Sequence, residues 1–138
     1  MFHVERVGAE WIAENGNAAS LSAFGGSRSA DLDRAQFAIV SFRNEKPTGY
    51  VTCIEMDSET VYWQVGGAFD GVKRTLDVVP SYLKMIDWAL ERYKRITTRI
   101  ENTNIEMLHL AMKMGFRIVG TWNFKNQIYL ELLNERES

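Results

Sequence analysis

Apolar and polar residues recur with two different periods along the chain, and each change of period marks a change between strand and helix. Short runs rich in β-branched and aromatic residues predict strands at 37–42, 50–56 and 61–65. The turn formers at 44–49 and 57–59 predict tight connections between these strands. The first part of the fold is therefore expected to be an antiparallel meander.

After a glycine-containing stretch at 66–71, the apolar positions change to helical spacing. The residues expected to face the core are Val79, Leu83, Ile86, Leu90 and Tyr93. Ser81 is expected to face solvent, Asp77 to cap the helix, and Pro80 to be tolerated in the first turn, where amides lack helical partners. Alternation returns at 96–101, which predicts a strand joined to the preceding one by a helical crossover.

A second helix is predicted to begin near Thr103, because Thr103 and Glu106 have the spacing at which two side chains cap each other's backbone amides. Its expected buried residues are Ile105, Leu108 and Met112. Gly115 is expected to end this helix in the left-handed conformation that glycine tolerates. Two further strands, at 116–122 and 127–133, complete the pattern.

The 138 residues are expected to form one domain with two parts. Residues 36–133 carry the strand and helix pattern and form the predicted core. Residues 1–35 form an N-terminal region of helix and loop, in which an interrupted helix is predicted at 9–24. A content of 46% hydrophobic and 25% charged residues is typical of a globular protein and argues against disordered and fibrous classes.

Charge and cysteine content argue against several classes of partner. A formal net charge of -2 argues against general nucleic-acid binding. No apolar run is long enough to span a bilayer, and residues 1–10 lack the apolar stretch of a signal peptide, so we expect no membrane partner and a cytoplasmic location. Cys53 is the single cysteine and the chain has 2 histidines, so neither an internal disulfide nor a metal site is expected.

The order of the predicted elements resembles the fold of the GNAT N-acetyltransferases from about residue 36 to residue 133. The local resemblance is strongest at 104–116, NIEMLHLAMKMGF, where an asparagine opens a helix and Gly-Phe closes it. The segments 117–120 and 128–132 resemble the terminal strand pair of that family. The resemblance implies an α/β (α+β) fold with a mixed sheet, in which an antiparallel meander precedes a β-α-β unit with splayed parallel strands and a C-terminal helix plus strand pair.

In that family the pantetheine arm of acetyl-CoA lies between the two splayed strands, which correspond here to the segments 65–69 and 96–101. Gly66 and Gly67 suit a bulge at this point. The pyrophosphate loop corresponds to 72–77, which lacks the glycines of the family and offers basic side chains instead. The resemblance therefore implies cofactor contacts by Gly66, Gly67, Ala68, Phe69, Lys73, Arg74, Thr75 and Asn104.

Gln64 and Tyr62 are the candidate catalytic residues, because they lie on the strand that presents the acetyl group in the family. Many family members carry a tyrosine that protonates the departing thiolate, and Ala111 stands at the corresponding position here. The proton would then return from water or from another side chain, with Tyr129 and Tyr62 as the candidates.

Each candidate also has a purely structural interpretation. Glu55 and Glu59 are acidic alternatives for a base, but glutamates in turns or on outward strand faces are usually only solvated. Asn104 equally suits a helix start, and Lys73 with Arg74 equally suits a solvated loop. The tryptophans expected mainly in the core are Trp63, Trp88 and Trp122, at least two of them.

The resemblance leads to two hypotheses. In the first, the chain is a transferase, an acyl-CoA-dependent N-acyltransferase that passes an acetyl group from acetyl-CoA directly to a small-molecule or peptide amine. In the second, it is a catalytically inactive GNAT-like binding or assembly module, as in some bacteriophage head-assembly proteins. The altered loop at 72–77 and Ala111 favour the second hypothesis, and a homodimer is compatible with both.

Overall fold

The computed structural model of the protein describes residues 2–15, 35–69 and 78–136. The strands, numbered along the chain, are β1 (Phe2–Val7), β2 (Phe37–Arg43), β3 (Lys46–Glu55), β4 (Thr60–Ala68), β5 (Arg95–Glu101), β6 (Arg117–Phe124) and β7 (Gln127–Glu135). The helices are α1 (Ala9–Asn15), α2 (Val79–Arg92) and α3 (Ile105–Lys113). None of the helices in the described ranges is both long enough and apolar enough to span a membrane.

The strands form a 7-stranded mixed sheet in the order β1-β2-β3-β4-β5-β7-β6. Neighbouring strands are antiparallel except β4 and β5, which are parallel and are connected through α2. The predicted fold class, a meander followed by a β-α-β unit, a helix and a strand pair, is confirmed.

The core lies on both faces of the sheet. On one face, here called the α2–α3 face, both longer helices pack against strand residues such as Ile39, Trp63 and Ile96. On the opposite face, the α1 face, a smaller cluster contains Ile12, Ala38, Val40, Tyr50 and Phe69. Because successive residues of a strand face opposite ways, the unbroken apolar run of β2 supplies both clusters.

The tryptophans and Cys53 largely follow the prediction. Trp63 is buried on the α2–α3 face and Trp88 packs against the same cluster, whereas Trp122 stacks on Phe124 outside both clusters. Cys53 is buried, and burial raises the pKa of its thiol, so it behaves as a small apolar residue. At least two tryptophans therefore contribute to the core as expected.

The buried face of α2 differs from the predicted one. Ser81 is buried and Leu83 is 43% exposed, the reverse of the expectation. The Ser81 hydroxyl lies 2.6 Å from that of Thr48 on β3, so a polar residue is tolerated inside because it is hydrogen-bonded. Pro80 lies in the first turn as predicted, whereas the residue before the helix is Val78, which provides no side-chain cap, and Asp77 lies outside the described residues.

The start and the buried face of α3 also differ in part from the predicted ones. Asn104 precedes the helix, as the resemblance implied, and Thr103 does not cap it; the Asn104 Oδ1 accepts a hydrogen bond from the Met107 amide at 3.2 Å. Ile105 is 54% exposed and Met112 is 49% exposed, so neither is buried as expected, whereas Leu108 is. The residues that α3 buries are Met107, Leu108 and Ala111.

The chain reversals agree with the sequence but are tighter than expected. The β2–β3 hairpin turns at Asn44 and Glu45, which have φ values of 51° and 73°. The β6–β7 hairpin turns at Lys125 and Asn126, with φ values of 49° and 66°. Two successive residues with positive φ match the twist of antiparallel strands. Gly115 has φ 103° and ends α3 as predicted.

Strand β1 was not predicted. It pairs antiparallel with β2, with Val4 opposite Ser41, and forms one edge of the sheet. Its polar residues, including His3 and Glu5, are exposed, which hides the strand signal because an edge strand needs few apolar residues. The predicted helix at 9–24 is present as α1, and residues 16–24 lie outside the described part of the chain.

Candidate functional site

The parallel pair β4 and β5 separates halfway along its length. Thr60 to Trp63 pair with Arg95 to Thr98, and within the described residues the two strands have no pairing beyond that point. β4 nevertheless continues to Ala68 and β5 to Glu101. The Thr98 hydroxyl donates to the carbonyl oxygen of Trp63 at 2.9 Å and so closes the last pair. The space between residues 64–68 and 99–101 is called the gap below.

A β-bulge marks the start of the gap. Trp63 lies opposite Cys53 and Gly66 opposite Val51, so Thr52 alone faces the two residues Gln64 and Val65. An extra residue bends a strand and increases its twist, which accounts for the departure of β4 from β5.

The predicted position of this bulge was wrong. Gly66 and Gly67 were expected to form it, but both are in register with β3, opposite Val51 and Tyr50. The Thr52 hydroxyl instead lies 3.3 Å from Oε1 of Gln64, so the bulge is supported by a side-chain contact. The glycines follow the bulge and leave a strand without large side chains beside the gap.

The backbone of β4 turns polar groups towards the gap. The Phe69 amide donates to the Thr48 carbonyl of β3 at 3.2 Å. Because backbone groups alternate between the two sides of a strand, those of Gly67 also point to β3, whereas those of Gly66 and Ala68 point away from it. The gap therefore borders amide and carbonyl groups that β3 does not use.

Helix α2 fixes β3 and β4 beyond the bulge. The buried Tyr82 hydroxyl lies 3.2 Å from the carbonyl oxygens of both Tyr50 and Gly67. Burial raises the pKa of Tyr82 well above its ordinary value, so the phenol stays a neutral donor. One side chain thus clamps a directly opposed pair of residues, which keeps β4 on β3 while it leaves β5.

Tyr62 and Gln64 lie on the α1 face of β4, because the intervening Trp63 faces the helices. Both are half-buried, and the guanidinium of Arg99 lies 5.9 Å from the centre of the Tyr62 ring. Arg99 also lies 4.1 Å over the Trp122 ring and 3.7 Å from the Glu131 carboxylate. Gln64 and Tyr62 can donate and accept hydrogen bonds near the bulge, but neither is a strong base.

The two acidic alternatives lie at the other end of the sheet. Glu55 accepts a hydrogen bond from the Tyr93 hydroxyl at 2.6 Å. Glu59 precedes β4 and lies 3.5 Å from the Lys94 ammonium. Both are at the paired end of β4, so the structure argues against the expectation that either lies beside the acetyl group.

Ala68, one of the expected cofactor residues, lies opposite Gly49 of β3. The other expected cofactor residues fall into three groups. Gly66 and Gly67 are buried next to the gap, and Phe69 packs in the α1-face cluster with its ring 5.4 Å from that of Tyr50. Asn104 is half-buried and uses its carbonyl oxygen to cap α3. Lys73, Arg74 and Thr75 lie outside the described residues, and so does the whole 72–77 loop.

The residues considered for proton return are also separated. Ala111 is buried in the α2–α3 cluster. The Tyr129 hydroxyl donates to the side chain of Gln127 at 2.9 Å on an exposed part of β7. The sequence did not predict the hydrogen bond of the Thr98 hydroxyl at the closed end of the gap, nor the clamp of Tyr82 on β4. A threonine on the apolar face of the predicted strand 96–101 was the available signal for Thr98.

No family model and no curated protein matches the sequence. Solved structures do match over nearly the whole chain. An acetyltransferase of Bacillus subtilis in complex with CoA is 14% identical, with 99% of this chain and 100% of that chain covered and a TM-score of 0.71. A GNAT family acetyltransferase of Elizabethkingia anophelis with acetyl-CoA bound is 15% identical, with 98% of each chain covered and a TM-score of 0.67.

A third match is AAC(6')-Ib in complex with ribostamycin and coenzyme A, 11% identical, with 98% of this chain and 93% of that chain covered and a TM-score of 0.71. At these identities the likeness shows the fold. The chain therefore has the GNAT fold, and the fold expected from its sequence is confirmed.

Proposed function

We propose that the protein is an acyl-CoA-dependent N-acyltransferase that passes an acetyl group from acetyl-CoA to an amine. The observation that carries this proposal is the separation of β4 from β5 after Trp63 and Thr98. A pantetheine arm is an extended chain with two amide groups, and it can bond to the backbone of Gly66 and Ala68 as a neighbouring strand would. Structures with the same fold that hold CoA or acetyl-CoA support this assignment.

The gap suits a direct transfer. As the amine attacks, negative charge develops on the thioester carbonyl oxygen, and preorganised amide donors stabilise that charge. The amide of Gly66, which borders the gap nearer its closed end, is the donor proposed for this oxygen. Gln64 and Tyr62 orient a water molecule or the incoming amine from the α1 face, and the proton that the amine loses passes to water. No covalent enzyme intermediate is required.

The remaining candidate residues are proposed to contact the nucleotide end of the cofactor. Lys73, Arg74 and Thr75 precede α2 and supply cationic and hydroxyl groups for phosphate oxygens. Asn104 keeps its carboxamide nitrogen for the cofactor while its oxygen caps α3. The backbone of Ala68 is proposed to bond to the pantetheine arm at the wide end of the gap, and Phe69 supports this end from the α1-face cluster.

The acceptor is proposed to be a small-molecule or peptide amine, and AAC(6')-Ib in complex with ribostamycin supports the small-molecule class. A single domain spanning residues 1–138, a homodimer and a cytoplasmic location are further parts of this proposal. Each can be measured independently of catalysis, by limited proteolysis, sedimentation and fractionation.

Calorimetric titration of the folded protein with acetyl-CoA tests the proposal. We expect saturable binding with a Kd on the order of micromolar, about -8 kcal/mol, and similar binding of desulfo-CoA, since both ligands share the pantetheine arm. A protein with an intact circular-dichroism spectrum that gives no heat with either ligand would contradict the proposal.

The second candidate function is an inactive binding or assembly module. Its specific support is Ala111, which places a methyl group in the core where many members of the fold family carry a tyrosine hydroxyl. The same titration separates the two candidates, because the module requires no acyl-CoA.

A further inference from the structure

Trp63 occupies the closed end of the gap. It is the last residue of β4 that pairs with β5, and the Thr98 hydroxyl bonds to its carbonyl. Its indole ring is 2% exposed and lies on the α2–α3 face, with ring centres 6.5 Å from Tyr82 and 6.0 Å from Phe116. The side chain is therefore held between Tyr82 of α2 and Phe116, which lies after the end of α3.

The indole nitrogen of Trp63 is buried and has no hydrogen-bond partner in the described part of the chain. A buried donor without an acceptor destabilises the folded state, and buried tryptophans normally find a partner. Ala111 of α3 belongs to the same cluster and is 2% exposed, and its methyl side chain offers no acceptor. A donor left unsatisfied points to a ligand that satisfies it.

The shape of the gap selects the part of the ligand that reaches Trp63. The two strands meet at Trp63 and Thr98, so the gap is narrowest there and opens towards Ala68 and Glu101. The bulky, charged nucleotide of acyl-CoA must stay at the wide end. Only the slender thioester end can reach the closed end, and its sulfur is a hydrogen-bond acceptor.

We propose that the indole N–H of Trp63 is a binding group for the sulfur of acyl-CoA and, more strongly, for the thiolate that forms when the acyl group leaves. This inference rests on the proposed function and adds a residue to it. Trp63 was expected only to fill the core, whereas Tyr62 and Tyr129 were the side chains considered for returning a proton to the thiolate.

The chemistry of the step is balanced without a proton from the indole. The amine nitrogen forms a bond to the thioester carbon, the carbon–sulfur bond breaks, and its electron pair goes to sulfur. The amine proton passes to water, and the thiolate takes a proton from water before or after release. An indole only donates hydrogen bonds, and bonds to a charged acceptor are the stronger ones, so Trp63 stabilises the departing thiolate more than the bound thioester.

Nuclear magnetic resonance of the indole groups tests this assignment. The protein has 4 tryptophans, and the Trp63 signal is identified by its loss in Trp63→Phe or, if that variant fails to fold, by elimination with Trp11→Phe, Trp88→Phe and Trp122→Phe. The wild-type protein is titrated with CoA and with desulfo-CoA at about pH 9.5, where a substantial part of the CoA thiol is ionised. We expect the Trp63 indole proton to move downfield with CoA and much less with desulfo-CoA.

Affinity provides the second measurement. Trp63→Phe should weaken CoA binding at about pH 9.5 by about tenfold and change desulfo-CoA binding by no more than about twofold, because only one hydrogen bond to the thiolate is lost. Trp88→Phe is the matched control, since Trp88 packs on the same face near Phe37, away from the gap. It should leave both affinities unchanged.

The outcomes separate the inference from the proposed function. If the wild-type protein binds both ligands but the Trp63 signal responds equally to them, or if Trp63→Phe weakens both equally, Trp63 only packs and the inference fails alone. If the wild-type protein binds neither ligand, the inference and the proposed function fail together.

Discussion

Both halves of β4 pair with β3, but only the first half also pairs with β5. In the first half, Thr60 to Trp63 pair with β5, and the Thr98 hydroxyl donates a hydrogen bond to the carbonyl oxygen of Trp63. In the second half, one extra residue opposite Thr52 turns β4 away, and the backbone of Gly66 and Ala68 faces the gap. A single inserted residue therefore converts the interior of a sheet into an edge that can bind an extended ligand.

Helix α2 stabilises the two halves through a tyrosine near each end. Tyr82 bonds to the carbonyls of Tyr50 and Gly67 beside the gap. Tyr93 bonds to Glu55 at the paired end. Tyrosine can therefore be changed to phenylalanine both beside the gap and at the paired end, which gives a matched pair of variants.

The largest effect is expected for Ala68→Pro. Proline removes an amide hydrogen that β3 does not use, and strands tolerate it where the amide faces away from the ladder. We predict that acetyl-CoA affinity, measured by calorimetry, falls about tenfold or more, whereas the free energy of unfolding changes by less than about 1 kcal/mol.

Val119→Pro is the control for this substitution. Val119 lies at a register shift in the edge strand β6 and is exposed, so proline there should leave binding unchanged. Wild-type affinity in Ala68→Pro would show that the second half of β4 is not the binding edge.

The next effect concerns the point where the strands separate. Thr98→Val removes the hydroxyl that donates to the Trp63 carbonyl but keeps the shape of the side chain, so the buried carbonyl loses that partner. We predict a loss of about 1–2 kcal/mol in the free energy of unfolding, measured with urea. Thr97→Val, on the opposite face of β5, should change it by less than about 0.5 kcal/mol. Equal effects would mean that the hydroxyl of Thr98 does not close the pair.

The tyrosine pair gives a smaller, more selective effect. Tyr82→Phe and Tyr93→Phe should each lower the free energy of unfolding by about 1 kcal/mol, because each removes a hydroxyl that donates a hydrogen bond, to buried backbone carbonyls for Tyr82 and to the exposed Glu55 carboxylate for Tyr93. Only Tyr82 bonds to the part of β4 beside the gap. Tyr82→Phe should therefore be the only one of the two variants that weakens acetyl-CoA binding, by about threefold. An equal loss of affinity in Tyr93→Phe would contradict the assignment of Tyr82 to the gap.

The last effect is a pH dependence at the paired end. Burial, together with the hydrogen bond to Glu55, raises the pKa of Tyr93 to about 12. The folded protein therefore holds this proton more tightly than the unfolded chain, whose tyrosines have a pKa near 10. The resulting stabilisation is complete below about pH 10 and is lost as the pH rises towards about 12. Urea unfolding across this range should show a shallower decline in Tyr93→Phe, and an unchanged slope would contradict the shift.

The sequence predicted most elements because their patterns are local. Six of the seven strands and the two longer helices follow from alternation, helical spacing and turn residues, and Gly115 ends α3 as expected. β1 was not predicted because its exposed edge position requires few apolar residues. The buried face of α2 could not be predicted because Ser81 is compatible with the core only through its contact with Thr48, 33 residues earlier.

The site was less predictable than the fold for the same reason. The segments that separate were identified, but the bulge was expected at Gly66 and Gly67, where glycine suggested it. Its actual position depends on the register between β3 and β4, which puts Thr52 opposite Gln64 and Val65. Register is a property of paired strands, and a single strand does not contain it.

Hydrogen exchange of individual β4 amides tests the central claim most directly. In the free protein, the amides of Val61 and Trp63 should be protected by β5, whereas those of Gly66 and Ala68 should exchange at least about tenfold faster. Saturation with acetyl-CoA should slow Gly66 and Ala68 and leave Val61 and Trp63 unchanged. Equal protection of all four amides in the free protein would mean that β4 and β5 are paired along their whole length, and it would contradict the account.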